Sequence, residues 1–204
     1  MKELLGISRT IDQINSRLGK SAAWLLVAAV VISSVNAVIR KLFNTSSNAW
    51  LEMQWLLFGA VFLLCASWTL LDNEHIRIDI VNSSMPRWLK QAIEVVGHGL
   101  FLIPMALVMV YTSAPFFWRS FIGNEQSMNA GGLPQWLGKF LVLAGFTFLL
   151  AQGVSELIKR IAIIRGDIPE TLKGGGHAAS AEAEAERLLE IAKAEADRHA
   201  AVKA

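Results

Sequence analysis

The chain has 204 residues, of which 53% are hydrophobic, and its mean hydropathy is +0.43. This composition is too apolar for an ordinary soluble domain and indicates a membrane protein. The net charge of +2 is too small to suggest a nucleic-acid partner. A single cysteine, Cys65, excludes both a disulfide framework and a thiolate metal cluster.

Residues 1–19 have the pattern of an amphipathic helix. Apolar side chains recur every three or four positions, at Leu4, Ile7, Ile11, Ile14 and Leu18, while polar and basic side chains occupy the other faces. We therefore predict a helix that lies in the membrane interface. The alternative is that this segment simply extends the first membrane span. The apolar run that follows has no clear small-x-small cleavage site, which predicts an uncleaved anchor.

Four apolar runs follow, and together they predict a four-helix membrane domain over residues 20–166. The predicted spans are about 21–39, 50–71, 95–118 and 134–156. The uncharged part of the second run has about 19 residues, roughly 28 Å as a helix, which matches the hydrocarbon thickness of a bilayer. In the first span, Ala29, Ser33 and Ala37 recur every fourth residue, which predicts a close helix contact.

The Lys and Arg residues flanking the spans predict the orientation. Eleven lie on the side that carries both termini, and four lie on the other side, at Arg40, Lys41, Arg119 and Lys139. Because cytoplasmic loops carry the excess of basic residues, both termini and the loop around residues 72–90 are predicted to be cytoplasmic. The chain is thus predicted to be a multi-pass membrane protein with both termini in the cytoplasm.

Residues 167–204 form a predicted cytoplasmic linker and tail. Gly174, Gly175 and Gly176 make a flexible break, and the segment from Ala181 to Ala201 is rich in the helix formers Ala, Glu, Leu, Arg and Lys. Its apolar positions beyond alanine are few. The pattern predicts a helical tail that is either solvated or a weak contact for another protein.

The sequence predicts no catalytic, cofactor or metal site. Ionisable residues within the spans are few, and Glu52, His98, Lys139 and Glu156 all lie within a turn or two of a span end. Glu52 lies opposite Arg40 and Lys41 across a short hairpin, so ion pairing with them or an interfacial contact explains this carboxylate more simply than proton coupling does. Haem b needs two axial imidazoles at membrane depth, and only His98 is near it.

Several motifs, in this order, resemble the small membrane subunit of TRAP (tripartite ATP-independent periplasmic) transporters, the DctQ type. The resemblance covers roughly residues 15–166, and the tail after Gly174 has no counterpart in it. The motifs are Leu51-Glu52-Met53-Gln54-Trp55, Glu74-His75-Ile76-Arg77-Ile78-Asp79, Gly97 with Pro104, Asn124-Glu125-Gln126-Ser127, Gly131-Gly132-Leu133-Pro134-Gln135-Trp136, Lys139, Leu150-Ala151-Gln152-Gly153 and Ser155-Glu156-Leu157-Ile158-Lys159-Arg160.

This resemblance implies two protein partners: a large permease subunit of about twelve spans and a periplasmic solute-binding protein. It implies import of an organic acid or a related solute on a sodium gradient. The large subunit would hold the substrate and sodium sites. The small subunit would have no substrate site of its own; it would scaffold the large one and help to dock the binding protein.

Two groups of residues follow as hypotheses. A contact site for the large subunit or the binding protein is predicted at the outer ends of the spans, at Arg40, Trp50, Glu52, Trp55, Glu125, Ser127 and Trp136. A structural clasp in the cytoplasmic loop is predicted at His75, Arg77 and Asp79. Two other functions stay open at this point, a haem-b or quinone membrane anchor and a self-contained small oligomeric transporter.

Overall fold

The computed structural model describes residues 2–45, 47–72 and 86–167, and the regular structure of these residues is helical. Four of its helices are long and apolar enough to cross a membrane, so the predicted all-α fold with four spans is confirmed. A six-residue π-helix, Gly97–Leu102, joins the two parts of the third span. The α-helices are α1 (Lys2–Phe43), α2 (Asn48–Leu71), α3 (Arg87–Val96), α4 (Ile103–Ile122) and α5 (Trp136–Ile164).

Helix α1 has no break between the predicted amphipathic segment and the first span. It contains 42 residues, about 63 Å at 1.5 Å per residue, or about twice the hydrocarbon thickness of a bilayer. Contacts of residues 8–15 with α5 hold this part of α1 along the bundle. The structure thus favours the alternative in which residues 2–19 extend the first span.

The other predicted spans are close to the observed helices. Helix α2 begins two residues before the predicted run and ends with it, whereas α5 continues eight residues beyond the predicted end. In the third span, the amide of Ile103 donates to the carbonyl of His98, five residues back. Pro104, which has no amide hydrogen to donate, follows directly, so the wider π-helical turn lies next to the proline.

A seam of small and polar residues repeats every seven positions along α1. Its members are nine-tenths or more buried, and they are Ser8, Asn15, Ala22, Ala29 and Asn36. A seven-residue period keeps side chains on the face turned toward neighbouring helices. The predicted every-fourth-residue stripe therefore describes the contact incompletely: Ala29 is buried, but Ser33 is half-buried and Ala37 is exposed.

Glycines on α1 and α5 let the helices approach closely. A Cβ atom added at Gly19 would lie 2.5 Å from the Cβ of Trp68 on α2. One added at Gly145 would lie 2.7 Å from the Cβ of Leu63. Helix α2 packs on both α1 and α5, and α5 also contacts α3 and α4, the two helices of the third span.

We call the end of the bundle near residues 43–48 and 123–135 the loop end, and the opposite end the terminal end.

Candidate functional site

The loop end is organised around the carboxylate of Glu52, one turn into α2. Its Oε1 accepts hydrogen bonds from the Ser127 hydroxyl and from Asn129 Nδ2, the latter at 2.8 Å. Its Oε2 accepts from the backbone amide of Leu133 at 2.6 Å. One carboxylate thus gathers three donors from a single loop, 75 to 81 residues away in the chain. Charge-assisted bonds of this kind are stronger than neutral ones.

The loop's backbone is shaped to reach Glu52. After α4 ends, Asn124 adopts a positive φ of 44° and Gly131 one of 72°, so the chain turns twice within eight residues. Between these turns Gln126 and Pro134 form an isolated antiparallel bridge. A Cβ atom at Gly132 would lie 2.6 Å from Glu52 Oε2. Glycine is therefore required where the loop passes the carboxylate.

A second charged contact fixes the base of the same loop. Lys139 forms an ion pair with Glu125, and its ammonium lies 4.1 Å from the ring centroid of Phe116. The hydrogen bond and charge of Lys139 lower the pKa of Glu125 from its ordinary value of 4.5. The Glu125 carbonyl also accepts the amide of Gln135 at 2.9 Å, which joins the two ends of the loop.

Below the loop, an open apolar groove of about 600 Å³ lies mainly between α2 and α5. It is lined by Trp55, Gly59, Leu63 and Val142, among others, and by the loop residue Met128. The Met128 side chain is fully exposed. A groove with an apolar floor and a polar edge suits another apolar helix or a lipid chain rather than a polar solute.

The predicted contact residues are placed as follows. Glu52, Glu125 and Ser127 lie together in the loop cluster, and Trp55 lines the groove beside them. Trp136 begins α5 and packs edge-on against Phe121, with ring centroids 5.4 Å apart. Trp50 and Arg40 are exposed at the same end.

The prediction that Glu52 forms an ion pair with Arg40 or Lys41 was wrong. Within the described residues no ion pair joins Glu52 to Arg40 or Lys41, because the loop at 127–133 supplies the donors instead. Both cations are exposed at the end of α1. The predicted clasp at His75, Arg77 and Asp79 lies outside the described residues.

The terminal end holds a second polar cluster, which the sequence analysis missed. At its centre Gln152 of α5 is completely buried. Its Nε2 donates to Asp12 at 2.9 Å and to Glu156 at 3.0 Å, and its Oε1 accepts from Asn15 at 2.7 Å. Lys159 pairs with both carboxylates. The cluster therefore joins α1 to α5 by charged and neutral hydrogen bonds together.

Ser8 and Ser155 complete this cluster. Their hydroxyls lie 2.7 Å apart, and Ser155 Oγ also approaches Asp12 Oδ1 at 2.8 Å. The amide orientation of Gln152 is determined by the two carboxylates, which need donors. Asn15 must then donate to Gln152, and its own Oδ1 is buried without a partner in the described part of the chain. Next to the cluster, Arg160 pairs with Glu94 of α3 at 2.8 Å.

Neither cluster provides a set of metal ligands within the part of the chain that the structure describes. Among the described residues no group of three or more His, Cys, Asp and Glu side chains could hold a metal ion. The ring of His98 is used within its own helix, where Nδ1 lies 2.7 Å from the carbonyl of Glu94. What the two clusters do chemically is position a loop and join helices.

The comparisons with known proteins give one family. A family model described as Tripartite ATP-independent periplasmic transporters, DctQ component, matches residues 27–162. The matched region is more than half of the chain and contains Glu52, its loop, the groove and the whole α5 side of the terminal-end cluster. No curated protein shows significant similarity to the chain.

Proposed function

The chain belongs to the DctQ family of tripartite ATP-independent periplasmic transporters, and we propose that it is the static scaffold of its transporter. Family membership confirms the resemblance found in the sequence and makes the chain a small transporter subunit of the membrane. DctQ is a family of transport components, not of enzymes. In our proposal the solute is an organic acid or a related compound, imported on a sodium gradient by the large subunit.

The observation that carries this proposal is the use of polar groups inside the bundle. The buried positions in the middle of the helices are mostly small, such as Ala22, Ala29, Ala60, Ala106 and Gly145. The described region contains several larger buried polar side chains. Those that have hydrogen-bond partners belong to the cluster that joins α1 to α5 at one end. A solute path needs polar groups that line a passage and are free to exchange partners. Groups that hold helices together suit a rigid support.

The loop end is the proposed contact site for the other two proteins. Glu52 holds the loop and its exposed Met128 in one shape, which a docking partner can recognise without ordering it first. The groove lined by Trp55 and Gly59 opens sideways, where it suits an apolar helix of the large subunit. The full proposed set is Arg40, Trp50, Glu52, Trp55, Glu125, Ser127 and Trp136.

The proposed topology has both termini in the cytoplasm of a bacterium and the loop end in the periplasm. The excess of Lys and Arg near the terminal end supports it. This orientation brings the Glu52 loop to the side on which a periplasmic binding protein arrives.

The substitution Glu52→Gln tests the docking role. An amide keeps one acceptor oxygen, which can face the amide of Leu133, but it turns an NH2 group toward Ser127 and Asn129, which donate to the carboxylate in the unmodified chain. It also loses the charge that strengthens all three bonds, so the loop is held less firmly. We expect the purified two-subunit complex to bind its own binding protein about tenfold more weakly, as measured by biolayer interferometry. We also expect the melting temperature to stay unchanged, since the buried contacts between helices are intact.

The matched control is Glu3→Gln, which removes a charge from an exposed residue at the opposite end. It should leave the affinity for the binding protein unchanged. Equal affinity of the Glu52 variant and the unmodified complex would refute the docking role. Solute uptake by liposomes that contain this chain alone would refute the scaffold proposal as a whole.

A further inference from the structure

The first twenty residues of α1 present three faces. One face, with Ser8, Asp12, Asn15 and Gly19, packs against α5 and α2. A second face is polar and basic, and its members are exposed: Arg9, Gln13, Arg17 and Lys20. The spacing of four, four and three residues keeps these side chains on one side of a helix.

The third face is apolar and open. Leu4, Ile7 and Ile14 have relative exposures of 46%, 55% and 49%. Gly19 still packs against Trp68 of α2, and Leu4 and Ile7 lie about 22 Å and 18 Å along the helix from Gly19. The headgroup layer on each side of the hydrocarbon core is only about 5–8 Å thick. In a helix that runs along the membrane normal, these side chains lie beyond the headgroup layer, where an apolar face is best covered by protein.

The basic face can bind an acidic partner as well. Within the described part of the chain, Arg9, Arg17 and Lys20 form no ion pair. The buried and half-buried acids of this end are already engaged: Asp12 and Glu156 pair with Lys159, and Glu94 pairs with Arg160. A partner that suits the surface combines several carboxylates with a short apolar stripe.

The chain's own C-terminal tail, which lies outside the described residues, has this chemistry. Residues 181–201 contain six acidic and three basic residues, and their larger apolar side chains are Leu188, Leu189 and Ile191. We propose that this tail docks on the basic and apolar faces of residues 2–20 of α1.

Chain length and attachment support this occupant over others. The tail follows α5, the helix that packs on residues 8–15 of α1. Thirteen residues lie between Asp167 and Ala181, and a random-coil chain of that length would span roughly 20 Å. Such a tether gives an effective concentration of about 1 mM, so weak contacts are sufficient for docking. A helix of residues 181–201 would be about 31 Å long, close to the length of the open surface.

Cysteine labelling of the two-subunit complex in lipid nanodiscs tests the proposal. In a Cys65→Ser background, Ile7→Cys reports on the open face through its rate of reaction with a membrane-impermeant maleimide, followed by mass spectrometry. We expect the full chain to react at least fivefold more slowly than a chain that ends at Gly174. The paired reversal Arg9→Glu and Arg17→Glu should accelerate the reaction of the full chain to a similar extent.

Two controls distinguish docking from loosening of the fold. Trp88→Cys, at an exposed position of α3 at the same end, should react at the same rate with and without the tail. Adding Glu182→Lys and Glu186→Lys to the two arginine reversals should restore slow labelling at position 7. The proposal is overturned if removing the tail leaves the rate at position 7 unchanged. The proposal is equally overturned if the full and the shortened chain both react slowly because lipid or the large subunit covers position 7.

Discussion

At the loop end, one carboxylate of α2 accepts hydrogen bonds from three donors of a single loop. At the terminal end, hydrogen bonds and ion pairs connect two carboxylates, one on α1 and one on α5. Glu52 is half-buried and its partners belong to residues 127–133. Gln152 is completely buried and its partners lie on α1 and on its own helix. The first arrangement determines the shape of a surface, and the second determines the register of two helices.

This difference predicts separate consequences for substitution at the two ends. Loss of a loop-end contact should change recognition and leave the bundle stable, because the loop lies outside the helix packing. Loss of a terminal-end contact should destabilise the bundle, because the groups left behind are buried without water. A single substitution that changed both partner recognition and the stability of the bundle would show that the two ends are not independent.

The largest effect is expected for Gln152→Leu. The substitution removes both donors to Asp12 and Glu156 and the acceptor for Asn15. Asn15 is then buried without a partner, and Asp12 and Glu156 each lose one donor but keep Lys159, which together costs about 3 kcal/mol. We expect the melting temperature of the chain in detergent to fall by about 6–10 °C. The matched control Gln13→Leu, at an exposed position of α1, should change it by less than about 2 °C. Equal shifts for both variants would mean that the buried cluster does not stabilise the bundle.

A smaller effect is expected where α2 and α5 cross. Gly145→Ala places a Cβ atom 2.7 Å from the Cβ of Leu63 and 3.0 Å from its carbonyl oxygen, so one helix must shift. Overpacking of this kind costs about 1–2 kcal/mol, or about 3–6 °C in melting temperature. Gly59→Ala on α2 is the control, because no atom lies within 4 Å of its added Cβ. Alanine is the better helix former, so the control should raise stability slightly. A stable Gly145 variant would contradict the close crossing.

Much of the fold could be predicted from local sequence patterns. The apolar runs and their flanking charges located four spans, because span length depends only on consecutive residues. The end of α5 was underestimated, since Ser155, Glu156, Lys159 and Arg160 resemble a helix exit. They continue the helix because residues of α1 supply partners for Ser155 and Lys159, while Glu156 bonds Gln152 and Lys159 of its own helix.

The pairing of distant residues could not be predicted in the same way. Glu52 was assigned to nearby Arg40 and Lys41, but its donors lie more than seventy residues away. Which loop reaches which carboxylate depends on how the helices pack, and local periodicity carries no such information. One signal for the terminal-end cluster was present: Ser8, Asn15, Ala22, Ala29 and Asn36 recur every seven residues. A seven-residue period indicates a packed seam, and the polar members mark where it needs partners.

The smallest effect, and the one that probes the loop end without a substitution, is its response to acid. Lys139 lowers the folded-state pKa of Glu125 below its ordinary value of 4.5. The stabilisation is therefore present above pH 4.5 and is lost as the pH falls through the folded-state pKa. Hydrogen exchange of the loop amides, corrected for the intrinsic rate at each pH, should show constant protection above pH 5 and reduced protection below about pH 4. A Glu125→Gln chain should show a smaller step, because the Glu52 carboxylate still holds the same loop, while amides near Gln152 should stay protected in both chains. Loss of protection at both ends together would show that acid unfolds the bundle, and the loop would then not be an independent unit.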